Sequence, residues 1–301
     1  MVRDAVLRRR WPGLAYWDLV KPKIIALLLV TTAGAMFLAG HGRVDPWLML
    51  VTLLGGACAA ASAHAINMVY DRDIDEVMSR TQGRPVPTGE VHPRSALLLA
   101  VVLAILAFVL LDVYANLLSA LLAMAGIVFY VGIYTHWLKR STTQNIVIGG
   151  AAGAIPPLVG WAAVTGSLDL TAWMLFLIIF LWTPPHFWAL AILKKQDYAQ
   201  AGIPMLPVVR GNAVTAQQMR WYALGLGLGS LLLVWPLKVM SWGYGLAAMG
   251  LGLYLLAPIE DLVRDPENLA VAKRVFLTAN TYLVLLYGAM AVDCFWAAWI
   301  G

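Results

Sequence analysis

Nine stretches of this sequence run for at least 17 residues without a single Asp, Glu, Lys or Arg: 24–42, 46–70, 95–111, 113–138, 141–168, 170–193, 221–237, 239–259 and 275–292. A helix needs about 17–25 apolar residues to cross the hydrocarbon core of a bilayer, so each run is long enough to span. Nine spans in 301 residues leave little room for a soluble domain. Charged residues make up 12% of the chain, against about 25% in soluble domains. The expectation is an all-α, polytopic membrane protein: a single domain, 1–301, of about nine transmembrane helices around a central cavity.

The net charge of +5 is distributed by loop. With the N-terminus placed inside, nineteen of the 21 basic residues fall in the segments that face the same side, and only Arg43 and Lys238 fall opposite. This is the pattern of the positive-inside rule. It puts the N-terminus in the cytoplasm and the C-terminus outside, and it makes the basicity a report of topology rather than of a nucleic-acid partner. The basic residues 1–22 read as a cytoplasmic arm with an interfacial Trp11, and the long first run reads as a span rather than a cleaved signal. No long Arg/Ser-rich leader precedes it, which points to a bacterial cytoplasmic (inner) membrane. Cys58 and Cys294 both sit within spans and form no metal or disulfide motif.

The second span is rich in small residues from Gly55 to Ala63, which permits close helix contact, and it ends in Asn67, Asp71 and Asp75, spaced four apart. On a helix these three share a face, with His64 close to the same line and Asp73 pointing roughly the other way. From Pro46 to Asp71 the helix rises about 38 Å against a hydrocarbon core of roughly 30 Å. The carboxylates therefore belong at the cytoplasmic mouth, where charge costs far less than at the bilayer centre. Arg80, Thr81 and Arg84 follow in a loop stiffened by Gly83, Pro85, Pro87, Gly89 and Pro93.

Further basic groups fall on that side: Lys139 and Arg140 after span four, beside His136, and Lys194 and Lys195 after span six, followed by Asp197 and Tyr198. The loops expected to form the site are 71–94, 135–144 and 194–218. Gly149 and Gly153 followed by Pro156-Pro157 predict a closely packed and kinked fifth span. In span six, Thr183 before Pro184-Pro185 reads as a helix start inside the membrane, and so predicts a broken or kinked helix. His186 falls on the Asp197 face, about 16 Å deeper. Asp75 to Pro85 and Asp197 to Pro207 are both ten residues, a faint echo between the two halves.

Asn67, Asp71 and Asp75 are hard oxygen ligands of the kind Mg²⁺ takes, and Asp197 could serve a second ion. Arg80, Arg84, Lys139, Arg140, Lys194 and Lys195 suit a phosphate. Metal and basic groups turn a diphosphate into a leaving group, while an apolar bundle shelters its organic part. A polyprenyl diphosphate fits that description.

The pattern N-x-x-x-D-x-x-x-D at 67–75 with R-T-x-x-R-P at 80–85 resembles the first motif of the UbiA-type intramembrane prenyltransferases. Within that family, NMVYDRDID, residues 134–161, WTPPHFWALAI at 182–192 and DYAQAGIPMLPVV at 197–209 resemble its heme-farnesylating branch. Relatives acting on aromatic acids show a second D-x-x-x-D, whereas here Asp197 is followed at +4 by Ala201. The resemblance implies transfer of a farnesyl group from farnesyl diphosphate to a vinyl group of heme b. Mg²⁺ would sit on Asn67, Asp71 and Asp75, and Arg80, Arg84, Lys139 and Lys195 would neutralise the leaving diphosphate. It implies heme contacts among His64, His136, His186 and Tyr198, and a heme A synthase or terminal oxidase as the partner that takes up the product. Two other readings stay open. One is the same chemistry on an aromatic or quinone precursor. The other is a transporter, although transporters place charge near the bilayer midplane.

Overall fold

The structure, a computed structural model, describes residues 12–300; most of the basic arm, including Arg8-Arg9-Arg10-Trp11, lies outside the described residues. Helices α1 (Pro12–Val20) and α2 (Pro22–Ala39) are followed by α3 (Pro46–Tyr70) and the short α4 (Arg72–Val77). After a turn-rich loop come α5 (Pro93–Tyr114) and α6 (Leu117–Val128), which runs on through a π-helical segment (Phe129–Leu138) into α7 (Lys139–Ser141). The second half contains α8 (Asn145–Thr165), α9 (Leu170–Leu193), the short α10 (Lys195–Gln200), α11 (Leu206–Leu232), α12 (Trp242–Arg264) and α13 (Leu269–Ile300). The described residues contain no strand, and the all-α expectation holds.

Eight helices among the described residues are long and apolar enough to cross a membrane. The ninth expected span, 221–237, lies partly in α11, whose first half carries Arg210, Asn212, Gln217, Gln218 and Arg220 and so dilutes its hydropathy. Four spans that start from the same side are capped by their own side chains, as orphan helix N–H groups require. Asp45, Asn116 and Asp169 accept from the N–H groups of Trp47, Ser119 and Ala172, and Ser241 from Gly243 and Tyr244. Helices α8 and α9 are the most enclosed, while α5 turns Leu98, Val102, Ile105 and Val109 outward.

The expected break in the sixth span is absent: α9 runs unbroken through Pro184 and Pro185. Thr183 is not a cap. Its hydroxyl donates to Ile179 O at 2.8 Å, and its methyl lies where a Cβ on Gly150 would come to 2.9 Å. The residue thus serves contact between α8 and α9. Helix α8 likewise continues through Pro156 and Pro157. Of the expected glycine pair, Gly149 lies against the Tyr134 ring, whereas Gly153 faces open space. The other close approach of α8 is at Gly160, where an added Cβ would meet the Thr32 carbonyl oxygen of α2 at 2.4 Å.

Two of the three expected loops are largely helical. Residues 135–141 belong to the π-helical segment and α7, and 194–218 is mostly α10 and the start of α11, which bends at Gly211 (φ 80°, ψ 168°). The echo between halves takes structural form: each of α3 and α9 ends in a one-residue junction, Asp71 or Lys194, followed by a six-residue helix. The two short helices are joined where the Ser79 hydroxyl, just after α4, reaches both oxygens of Asp197 on α10, at 2.9 and 2.8 Å.

Because a backbone carbonyl cannot move aside as a side chain can, Gly160→Ala should destabilise the protein by about 1–3 kcal/mol. Gly153→Ala, facing open space, should be close to neutral. Thermal unfolding of both variants in the same detergent checks the contrast.

Candidate active site

The ladder of α3 continues across its end. Asp71 N donates to Asn67 O at 2.9 Å and Asp75 N to Asp71 O at 2.8 Å, so the four-residue spacing survives the Asp71 junction. The shared face is turned inward: Asn67, Asp71 and Asp75 are 3%, 0% and 1% exposed. Burying carboxylates this far is costly unless cations meet them, and three segments supply them.

The fourth span supplies the first: its π-helical segment, continued by Lys139 at the start of α7, runs alongside α3 in three rungs. The rings of His64 and Tyr130 meet edge to face at 5.7 Å. Asn67 Nδ2 donates to Thr135 Oγ1 at 3.1 Å, and Lys139 Nζ donates to Asp71 Oδ2 at 2.5 Å. Arg84, from the loop after α4, donates through Nη1 to both oxygens of Asp75 at 2.8 and 2.7 Å. Lys21, in the turn between α1 and α2, donates to Asn67 Oδ1 at 2.9 Å, and burial among like charges holds its ammonium well below the usual lysine range. The remaining N–H of the Asn67 amide goes to Asp71 Oδ2 at 2.7 Å.

Other expected site residues are placed differently. Asp73 does point away from the carboxylate face, and it draws Arg140 with it: Nη1 and Nη2 bond its two oxygens at 2.7 and 2.8 Å. That pairing holds the Asp73 carboxyl below the usual carboxylate range. The Thr81 hydroxyl donates to the Asp75 main-chain oxygen at 3.3 Å, so it ties the loop to α4. Arg80 is exposed and its charge acts on the Tyr198 phenol, which burial pushes up. Lys194 and Lys195 stand at the junction of α9 and α10, with no ion pair among the described residues. His136 Nδ1 meets the Tyr70 hydroxyl at 2.6 Å. His186 is stacked between Trp182 at 4.5 Å and Phe276 of α13 at 4.6 Å. His64 is buried with both ring nitrogens lacking a hydrogen-bond partner.

Among the described residues, no three His, Cys, Asp or Glu side chains form a ready cluster for a metal ion. Asp71, Asp75 and Asp197 are therefore not brought together as one ligand set, because each already faces its own lysine, arginine or serine. The donor set still fits a divalent ion. Asp71 Oδ1 is buried without a hydrogen-bond partner, with Arg140 Nη2 at 3.8 Å, and such an orphan oxygen is suited to an incoming cation. A cleft of about 380 Å³ opens beside the site, lined by Asp73, Ile74, Val77, Arg140 and residues 200–203. Lys21, Thr135, Ser79 and Tyr130 escaped the reading of the sequence. The one signal for Lys21 was its place before Pro22 at the start of a span.

Residues 27–284 match the UbiA prenyltransferase family. The chain belongs to that family. It is an integral membrane enzyme, a prenyltransferase. A relative from Thermosynechococcus vestitus, named protoheme IX farnesyltransferase, is 59% identical over 278 residues, covering 92% of this chain and 88% of the relative. Another of that name, from Synechococcus sp. (strain JA-2-3B'a(2-13)), is 60% identical over 279 residues, covering 93% and 84%. The fold is shared with a structure of digeranylgeranylglyceryl phosphate synthase at a TM-score of 0.77 and 18% identity, covering 94% of this chain and 98% of that one. It is shared as well with a UbiA homologue from Archaeoglobus fulgidus bound to DMAPP and Mg²⁺, at a TM-score of 0.71 and 16% identity, covering 92% and 99%.

Removing one partner of a buried ion pair strands the other, so Lys139→Met should cost about 3–5 kcal/mol of stability. Adding Asp71→Asn to that variant should restore most of the loss. The double-mutant cycle is read from thermal unfolding.

Proposed function

We propose that this prenyltransferase moves a farnesyl group from farnesyl diphosphate to a vinyl group of heme b, as a single domain in a bacterial cytoplasmic membrane with the carboxylate end facing the cytoplasm. The observation that carries the donor half is the pair of fully buried carboxylates met by Lys139, Arg84 and Lys21 at one end of an apolar bundle. The acceptor half is supported by relatives named protoheme IX farnesyltransferase at 59% and 60% identity over most of the chain.

Asn67, Asp71 and Asp75 would hold Mg²⁺, which when bound supplies charge neutralisation to the diphosphate as it leaves. Lys139 and Arg84, with Arg80, Lys194 and Lys195 nearer the surface, take up the negative charge that grows on the departing oxygen. Tyr130 and Tyr134, stacked at 5.5 Å, offer ring faces that favour a developing allylic cation. The farnesyl C1–O bond breaks with its electron pair going to the diphosphate, and the vinyl carbon closes a new bond to C1. Water then adds to the carbon left cationic, and its proton is released. His64, with neither ring nitrogen engaged by the protein, is the histidine this reading assigns to the acceptor; His136 Nδ1 already meets the Tyr70 hydroxyl, and His186, whose Nδ1 also lacks a partner, is stacked between Trp182 and Phe276.

Incubation of the purified chain in lipid with Mg²⁺, farnesyl diphosphate and heme b should give a heme heavier by one farnesyl group and one hydroxyl group, read by mass spectrometry. Asp71→Ala and Asp75→Ala should each lower turnover by about 10²-fold or more while the helical content is retained. Full activity of both variants overturns the site. Turnover of an aromatic acid with none of heme overturns the acceptor.

A further inference from the structure

The charges around the carboxylates do not balance. Asp71 and Asp75 are faced by Lys139, Arg84 and Lys21, besides Arg140, which is bonded to Asp73 and stands 3.8 Å from Asp71. The first two cations each bond a carboxylate directly. Lys21 does not: its hydrogen bond goes to a neutral amide oxygen, Asn67 Oδ1, and no carboxylate lies within ion-pair distance of it among the described residues. An ammonium has three N–H donors, and here a single amide oxygen receives it. Lys21 precedes Pro22, which disfavours helical dihedrals at the preceding residue. It adopts φ 56°, ψ 60° and separates α1 from α2. The side chain is thus delivered to the end of α3 from a fixed turn.

We propose that Lys21 is a diphosphate-binding residue, and that until a diphosphate arrives its ammonium stands at Asn67 Oδ1 in the place of a divalent ion, so that metal and diphosphate enter together. This rests on the reading of the site given under Proposed function. The electrostatic ledger supports it. A divalent ion alone would join a site whose carboxylates each already have a cation, and it would have to displace Lys21 with no anion to receive the lysine. A prenyl diphosphate carries about three negative charges, so its complex with a divalent ion brings about one net negative charge. That complex neutralises the site and gives Lys21 phosphate oxygens to bind once it leaves Asn67. Lysine suits the exchange because its charge sits on a flexible stem.

The test uses the full chain in detergent with two probes, Mg²⁺ alone and inorganic pyrophosphate with Mg²⁺, each titrated by calorimetry. Wild type should bind Mg²⁺ weakly alone and markedly better with pyrophosphate. Lys21→Gln should weaken binding of the magnesium–pyrophosphate pair by about 10- to 100-fold, the value of a charge-assisted hydrogen bond, and should tighten binding of Mg²⁺ alone, since its competitor is gone. Lys21→Arg should keep much of the pyrophosphate affinity. If Lys21→Gln does not fold, Lys21→Met carries the same two measurements. Unchanged pyrophosphate affinity, or unchanged or weaker Mg²⁺ binding, overturns the proposal. Failure of the wild type to bind the magnesium–pyrophosphate pair would instead strike the donor site itself, while heme turnover with a silent Lys21 variant would strike this inference alone.

Discussion

Two carboxylates held out of water at the end of a membrane bundle must be met by cations, and that requirement ties together segments far apart in the chain. Asp71 is fully buried and Asp75 nearly so. An unpaired charge in that position would cost more than the surrounding contacts return. The chain answers with Lys139 from the fourth span, Arg84 from the loop after α4, and Lys21 from the turn before α2. Each is delivered by a different element, so the charged centre also acts as the clasp that closes one end of the bundle. Gly149, Gly150 and Gly160 do complementary work along α8, letting Tyr134, Thr183 and the backbone of α2 come close without polar groups.

The π-helical turn follows from the same requirement. Tyr130, Thr135 and Lys139 span nine residues, which in an α-helix is about two and a half turns and would leave the ends on opposite faces. Widened to hydrogen bonds five residues apart, the segment makes roughly two turns, and the three side chains line one face. They then match His64, Asn67 and Asp71 on α3 rung for rung. The Lys139 N–H bonding to Tyr134 O is that wider ladder at its last step. A regular helix would lose either the Tyr130 or the Lys139 contact.

What was legible in the sequence follows from this physics. The inward face of α3 could be read because a four-residue spacing of Asn67, Asp71 and Asp75 in an otherwise uncharged run has one geometric meaning. Lys139 and Arg84 could be read because basic residues on the same side of the membrane have few other anions to meet. Lys21 could not, since a lysine before the first span is what membrane topology demands anyway. Thr135 could not, because its role depends on a change of helical pitch that leaves no mark in hydropathy. The break expected at Thr183-Pro184-Pro185 failed for a related reason. Local capping rules assume an end of helix in water, and here the neighbouring Gly150 admits Thr183 as a contact residue inside a continuous helix.

The two halves repeat the same device with different chemistry, and the difference explains how labour is divided. After α3 the junction residue is Asp71, buried and charged; after α9 it is Lys194, and the aspartate comes three residues later. Asp197 meets a serine hydroxyl rather than a cation, so the second half contributes a strut to the charged floor without deepening it. That leaves one concentrated charged centre, the one the proposed function assigns to the metal and the diphosphate head. Above it the lining turns aromatic and neutral, with Tyr130 in ring contact with both His64 and Tyr134. On the proposed function, a fixed charged floor would recognise any prenyl diphosphate by the same groups, whereas an acceptor meeting the upper wall would be chosen by shape, ring faces and the free nitrogens of His64. On that reading, donor recognition condenses into a spaced motif, and acceptor recognition is spread over residues that no spacing rule singles out.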